Sequence, residues 1–339
     1  MAGHELIRKL RRLEKEIGNT PLARFDVPGC ELHAKLEYYN MTGSLKDRPA
    51  LYALKKGIED GNVTPDTTIV ESSSGNFASA LAVMARRLDL KFLPVIDPNI
   101  NKMYENFLRL SCAEVAKVTV RDAAGGFQKT RIAKVKQLVN TLPDAFWTDQ
   151  YGNPACMNAH YESTGGEICS QLDSLDYAFI GVSSGGTISG LSRRLKEAYP
   201  GVHIVAVDAL GSAIFGGEIR ARYIPGIGST TRPALLDHAL IDEVVKVAEP
   251  DTVRGCLDLF TRQGIFAGGS SGSVYSAVTT YFSRMRTTLA KPRVLMICAD
   301  RGLAYFDTIY NETWRQWLQT QYAPAFPSYA TEVMAHAAT

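Results

Sequence analysis

The feature that most constrains this chain is its rhythm: short β-rich runs alternate with helical stretches of ten or more residues. Strand patterns fall at 31–39, 68–72, 91–96, 114–120, 177–182, 203–209, 243–247 and 293–298. Between them, helical apolar spacing marks 46–59, 75–88, 101–110, 126–140, 153–172, 187–198, 250–263 and 271–286. Strands separated by helices of that length form parallel sheets, with the crossover helices covering both faces. The expected fold class is therefore α/β, with open parallel sheets in two lobes. One group of strands runs through Ile69, Phe92 and Val118; a second begins near Phe146 and continues through Ile180, Ile204, Val245 and Leu295. The expected division is a smaller lobe at 38–147, a larger lobe made of 1–37 and 148–318, and a C-terminal tail at 319–339 without a clear period.

Composition narrows the class. The 339 residues include 37 Lys and Arg against 35 Asp and Glu, a formal charge of +2. So even a balance leaves no footprint for nucleic acid or an anionic membrane surface. No apolar run reaches the ~20 residues of a membrane span, and the N-terminal segment has no apolar signal core. A cytoplasmic chain that binds neither nucleic acid nor membrane is expected. Cys30, Cys112, Cys156, Cys169, Cys256 and Cys298 are scattered, with no CxxC pair and no histidine at zinc-binding spacing. Neither a resident metal nor a disulfide framework is expected.

Open α/β sheets bind ligands beyond the carboxyl ends of their strands, where helix N-termini present free N–H groups. At 40–48, Asn-Met-Thr-Gly-Ser-Leu-Lys-Asp-Arg places Lys46 in the opening turn of a helix. A cation there opposes the helix dipole. Lys46 is then either a solvated surface residue or one with chemistry of its own, such as a Schiff base with a carbonyl. The next turn, Glu71-Ser-Ser-Ser-Gly-Asn-Phe77, is crowded with hydroxyls. Ser73 or Ser74 would suffice as a helix cap, and the surplus equally suits a carboxylate or phosphate cradle. Gly181-Val-Ser-Ser-Gly-Gly-Thr-Ile188 carries the strongest signal: its glycines admit close backbone approach, and Ser184 and Thr187 add donors suited to a phosphate monoester. It has neither the lysine of a P-loop nor G-x-G-x-x-G spacing. Gly268-Gly-Ser-Ser-Gly272 and Ala299-Asp-Arg-Gly302 punctuate two further passages.

Taken in order, these turns form a set. Ile17-Gly-Asn-Thr-Pro-Leu22, Gly43-Ser-Leu-Lys-Asp-Arg48, Ser73-Ser-Gly-Asn76, Gln150-Tyr-Gly-Asn-Pro154, Thr164-Gly-Gly-Glu-Ile168, Ser184-Gly-Gly-Thr187 and Gly269-Ser-Ser-Gly272 follow one another. The set resembles the cysteine synthase / cystathionine β-synthase group of pyridoxal-phosphate enzymes (fold type II), over roughly residues 8 to 310. The resemblance implies pyridoxal 5′-phosphate in a cleft between the lobes, with the smaller lobe on the substrate side. Lys46 would be the Schiff-base lysine. Ser184, Gly185, Gly186, Thr187 and Ile188 would cradle the phosphate, and Asn76 would bond the 3′ oxygen. Ser73, Ser74, Gly75 and Phe77, with Gln150, would hold the α-carboxylate of an amino-acid substrate. The implied reaction is β-replacement through an aminoacrylate, with the lysine amine moving the Cα proton. A homodimer follows from the same analogy.

Departures from the group bear on the substrate. Phe77 stands where the group usually has threonine, and Ala299-Asp-Arg-Gly302 lacks the serine that would bond the ring nitrogen. A guanidinium cannot take that hydroxyl's place, so Ser271 or Asp300 is the expected partner and Arg301 is expected to point elsewhere. Gly211-Ser-Ala-Ile-Phe-Gly-Gly217, Pro225-Gly-Ile-Gly-Ser-Thr-Thr-Arg-Pro233 and the run from Asp300 to Tyr310 are similar to the N-(2-amino-2-carboxyethyl)-L-glutamate synthases. Those enzymes join O-phospho-L-serine to L-glutamate, releasing phosphate, on the way to 2,3-diaminopropionate for siderophores or peptide antibiotics. Substrates so anionic require extra cations or donors at the mouth, and Arg131, Tyr151 and Arg232 are the candidates. Thiol β-replacement of the cysteine or cystathionine synthase kind remains an alternative, as does a cofactor-binding relic without turnover.

Overall fold

The computed structural model describes residues 2–122, 125–284 and 291–325. In chain order its strands are β1 (Leu22–Val27), β2 (Cys30–Leu36), β3 (Thr68–Ser72), β4 (Lys91–Ile96), β5 (Ala116–Lys117), β6 (Ala145–Trp147), β7 (Tyr177–Gly181), β8 (His203–Ala209), β9 (Glu243–Val247) and β10 (Arg293–Cys298). The α-helices are α1 (Ala2–Glu14), α2 (Asp47–Glu59), α3 (Asn76–Arg87), α4 (Lys102–Ser111), α5 (Gln128–Thr141), α6 (Pro154–Ala159), α7 (Gly165–Gln171), α8 (Gly186–Ala198), α9 (Glu249–Gln263), α10 (Gly269–Arg284) and α11 (Glu312–Ala325).

The strands form a larger sheet in the order β1-β2-β10-β7-β8-β9 and a smaller one in the order β5-β4-β3-β6. Only the β1–β2 pair is antiparallel. The register of β10 shows why its sequence is apolar throughout. Val294, Met296 and Cys298 pack on one face with Val274, Val278 and Phe282 of α10. Leu295 and Ile297 turn to the other face, against Ile188, Leu191 and Leu195 of α8. With side chains alternating between two covered faces, no position is left for a polar residue.

The structure corrects several expectations. Phe146 belongs to the smaller sheet, because β6 pairs in parallel with β3 and sets Phe146 opposite Ile69. The strand expected at 114–120 shrinks to β5, an edge strand, and Val120 beyond it is largely exposed. The first 37 residues divide. Leu6, Leu10 and Leu13 form one stripe of α1 and enter the core of α2 and α3, beside Leu51, Leu54 and Leu81. Only β1 and β2 join the larger sheet. The helix expected at 153–172 is three pieces, since a π-turn (His160–Thr164) separates α6 from α7. Against it α8 packs closely: a Cβ on Gly190 would stand 2.4 Å from the Met157 carbonyl. Part of the tail is ordered as α11, whose Leu318 and Tyr322 are buried with Val253 of α9; residues 326–339 lie outside the described residues.

The six cysteines are free thiols. Among the described residues, no helix is long and apolar enough to cross a membrane. No group of three or more His, Cys, Asp or Glu there could hold a metal ion.

Candidate active site

Lys46 directly precedes α2, at the end of the loop that leaves β2. Its neighbours are held on both sides. Asp47 accepts from the Thr42 N–H at 2.6 Å and from the Thr42 hydroxyl. Arg48 is buried and forks onto Glu37 through Nε and Nη2, both at 2.7 Å. It reaches Glu167 through Nη1 at 2.6 Å and Nη2 at 2.9 Å. Leu45 donates its N–H to the Ala299 carbonyl at 2.8 Å, joining this loop to the end of β10. Burial depresses the Lys46 pKa, with Cys156 and Asp300 only partly opposing it. A nucleophile or base needs an unprotonated amine, and burial moves Lys46 in that direction.

Two hollows meet at this lysine. One, of about 490 Å³, is bordered by Lys46, Ser183, Ser184, Thr187, Ile188 and Ser270. The other, a narrow seam, runs from Lys46 to Phe77, Gln150 and His160. Gly185 begins α8 with φ +86°, and a Cβ there would lie 2.9 Å from the Leu236 backbone nitrogen. Glycine is therefore required, and the unpaired N–H groups of the helix start face an open cup. Gly186 is also tight, its Cβ position 3.2 Å from the Cys156 carbonyl. The Thr187 hydroxyl meets His160 Nε2 at 3.3 Å, and His160 Nδ1 meets the Thr164 hydroxyl at 3.0 Å. Burial, with Lys46 and Arg48 adding to it, holds the His160 pKa well below the ordinary range, so the ring is neutral. His160 was missed from sequence, although it is the lone histidine in the apolar stretch that follows Pro154.

Beside the smaller sheet, Ser73 accepts the Ala78 N–H at 3.2 Å and so satisfies a donor in the first turn of α3. Ser74 is free of that duty and accepts from Arg131 Nη1 at 2.9 Å. Gly75 immediately precedes α3, and Phe77 is buried in its first turn. Gln150 donates to the Ser72 carbonyl at 3.2 Å. Burial raises the Tyr151 hydroxyl pKa, with the Arg131 charge pulling the other way. Residues 73–77, 131, 150 and 151 thus gather at the carboxyl ends of β3 and β6. Arg232 does not join them: it is half-exposed and pairs with Asp237 at 2.8 Å.

At the far wall, the serine assignment changes. Ser271 is fully buried and accepts the Ala299 N–H at 3.0 Å, whereas Ser270 borders the cleft. Successive residues of a helix point about 100° apart, so only one of the two can face it. Asp300 accepts from Asn76 Nδ2 at 2.7 Å and from the Tyr305 hydroxyl at 3.0 Å. Arg301 turns away, over the rings of Tyr38 and Tyr39 at 5.0 and 5.6 Å. A buried amine and a glycine-opened helix start border one cleft. That donor set fits pyridoxal phosphate: the amine for its aldehyde and the cup for its phosphate.

Comparisons with known proteins bear on this arrangement. Residues 13–300 match the family described as "Pyridoxal-phosphate dependent enzyme". The chain is 42% identical over 303 residues to N-(2-amino-2-carboxyethyl)-L-glutamate synthase of Ralstonia nicotianae, covering 88% of this chain and 89% of that protein. It is 41% identical over 305 residues to the protein of the same name from Cupriavidus metallidurans, with 88% and 89% covered. Among solved structures, the O-acetylserine-dependent cystathionine β-synthase of Helicobacter pylori superposes with a TM-score of 0.81 at 29% identity, covering 88% of this chain and 98% of that one. A hydrogen sulfide-producing enzyme of Fusobacterium nucleatum superposes with a TM-score of 0.79 at 27% identity, covering 86% and 98%.

Proposed function

The chain belongs to the pyridoxal-phosphate dependent enzyme family, and from that premise we propose that it joins O-phospho-L-serine to L-glutamate, giving N-(2-amino-2-carboxyethyl)-L-glutamate and phosphate. The observation that carries this reading is the pair of relatives named for that product, at 41% and 42% identity over 88% of the chain. Pyridoxal phosphate, when bound, supplies the electron sink for charge left at Cα. The protein supplies the rest. Lys46, enclosed and with its pKa depressed by burial, anchors the cofactor and then takes the proton from Cα of the first substrate. Ser184, Gly185, Gly186, Thr187 and Ile188 hold the phosphate at the start of α8, Asn76 donates to the 3′ oxygen, and Ser270 rather than Ser271 faces the ring nitrogen. Ser73, Ser74, Gly75, Phe77 and Gln150 hold the α-carboxylate.

Arg131 and Tyr151 orient the anionic second substrate. The guanidinium stands behind Ser74 with its Nε buried and without a partner. The guanidinium is already paired with Asp97 at 2.9 Å, so a carboxylate brought to this turn would join a desolvated pair that still has a donor to spare at Nε. The product would serve 2,3-diaminopropionate formation for a siderophore or peptide antibiotic. We read the working unit as a cytoplasmic homodimer acting on small amino acids, with no nucleic-acid or membrane partner; sedimentation at micromolar concentration tests the dimer.

The deciding experiment incubates the enzyme with O-phosphoserine and either glutamate, sulfide or homocysteine, and weighs the products. The amine adduct with glutamate is expected. A thioether or cysteine formed faster would favour thiol β-replacement, the reading to which the two solved structures lend weight by their names. No product from any pair, with cofactor bound, would leave the relic.

A further inference from the structure

We propose that Asp300 is a positioning residue: it fixes the orientation of the Asn76 amide in the hollow that the two residues line together with Tyr104, so that one N–H of that amide stays free as a donor. The proposal rests on the reading above that Asn76 bonds the 3′ oxygen of the cofactor, and it names what makes Asn76 a donor there. Asn76 opens α3 in the smaller lobe, while Asp300 follows β10 in the larger. Asn76 Nδ2 donates to Asp300 Oδ2 at 2.7 Å, and the Tyr104 hydroxyl donates to Asn76 Oδ1. Burial pushes the Asp300 carboxyl up to about 6, and its Oδ2, which takes the hydrogen bonds from Asn76 and Tyr305, serves as an acceptor.

A flipped amide would set its carbonyl oxygen against that carboxylate, two acceptors in contact inside a buried site. It would also take the acceptor away from Tyr104. Asn76 is therefore held in one orientation from two sides. Its Nδ2 carries two hydrogens, of which Asp300 takes one.

The carboxylate is itself held. Tyr305, fully enclosed, donates to the same Oδ2 at 3.0 Å. The Asp300 carbonyl accepts the Gly268 N–H at 3.0 Å, and a Cβ on Gly268 would fall 2.0 Å from Asp300 Oδ1. Only glycine at 268 leaves room for the carboxylate. The hydrogen bond between Asn76 and Asp300 also ties the start of α3 to the segment that follows β10.

The test reads the cofactor without either amino-acid substrate. Asp300→Asn, Tyr104→Phe, Asn76→Ala and the double variant Asp300→Asn/Asn76→Ala are compared with the unmodified enzyme. Equilibrium dialysis against pyridoxal phosphate gives the dissociation constant, the visible spectrum gives the absorption maximum of the bound cofactor, and thermal melting is run on the cofactor-free chains. Asp300→Asn should weaken cofactor binding roughly tenfold, as loss of a charge-assisted hydrogen bond does, and displace the absorption maximum. In the Asn76→Ala background the same change should add little, since coupled residues are non-additive. Unaltered affinity and spectrum, or an equal loss in both backgrounds, overturns the proposal. Should Asp300→Asn fail to fold, Tyr104→Phe decides: a severalfold loss with a displaced maximum supports the orientation lock, and unmodified behaviour overturns it. Because no substrate enters these measurements, their failure leaves the glutamate assignment standing, and the reverse holds for the product assay.

Discussion

Arg131 donates from Nη1 to the hydroxyl of Ser74 at 2.9 Å, fastening α5 to the turn that opens α3. The same nitrogen faces Asp97 at 2.9 Å. Arg131→Ala should lower kcat/KM for glutamate roughly 10- to 100-fold, the range for hydrogen bonds to charged groups. Phosphate release from O-phosphoserine alone should change far less. Arg131→Lys should fall between, because a point charge cannot replace a planar fork. Stopped-flow phosphate detection beside steady-state kinetics separates the two steps, and equal losses in both would remove Arg131 from second-substrate binding.

The two adjacent serines of α10 should respond differently. Ser270→Ala should move the spectrum of the bound cofactor with little effect on unfolding. Ser271→Ala strands the Ala299 N–H and should cost about 1–3 kcal/mol of stability, with the spectrum nearly unmoved. Urea unfolding and a visible spectrum of each variant are sufficient, and the opposite pattern would restore Ser271 to the cleft.

Gly185→Ala asks a residue with a Cβ to hold φ +86° while touching the Leu236 backbone. The left-handed conformation alone costs about 1–3 kcal/mol, and relieving it distorts the cup. Cofactor affinity should drop tenfold or more by dialysis, against a control, Gly166→Ala, whose Cβ meets nothing within 4 Å. Equal affinities would move the phosphate elsewhere.

The Arg48 cluster carries an acid-dependent share of the stability. Burial alone would raise the Glu167 carboxyl, but Arg48 and Lys35 outweigh it and hold the group at about 2. An unfolded glutamate titrates near 4.3, so the folded chain binds this proton less readily. The contribution is whole above about pH 5 and fades as pH falls toward 2. The stability gap between the unmodified chain and Glu167→Gln should therefore narrow from pH 5 to pH 3 in urea titrations; a constant gap would refute the linkage. Glu71 runs the other way. Burial lifts it to about 7, the folded state keeps its proton longer, and its contribution declines as pH rises from about 4.5 toward 7.

The turns that build the site were legible because each combines two local signals, an apolar run that stops and a cluster of glycine and hydroxyl residues that begins. The Ser184–Thr187 turn stands out by that logic alone, whereas Lys46 stays open between two readings until the turns are taken as a set, and Asn76 takes its role from the resemblance. What escaped depends on partners distant in sequence. Nothing around Phe146 tells which of two sheets it will join, since its partner Ile69 is far along the chain. β1 was missed because Arg24 and Asp26 interrupt its apolar pattern, and its pairing with β2 appears only in the fold. Ser270 and Ser271 are equivalent as letters, and the phase of α10 separates them. His160 gained its place from a π-turn, which has no composition of its own.

The clamps on Asp47 and Arg48 have a mechanical corollary for the residue before them. The Lys46 amine is an arm on a fixed shoulder: the main chain beside it is held by a buried guanidinium fork. Its reach from one hollow to the other is left to torsions within its own flexible stem. If that amine moves the Cα proton as proposed, its aim is set by those side-chain torsions and not by the loop that carries it.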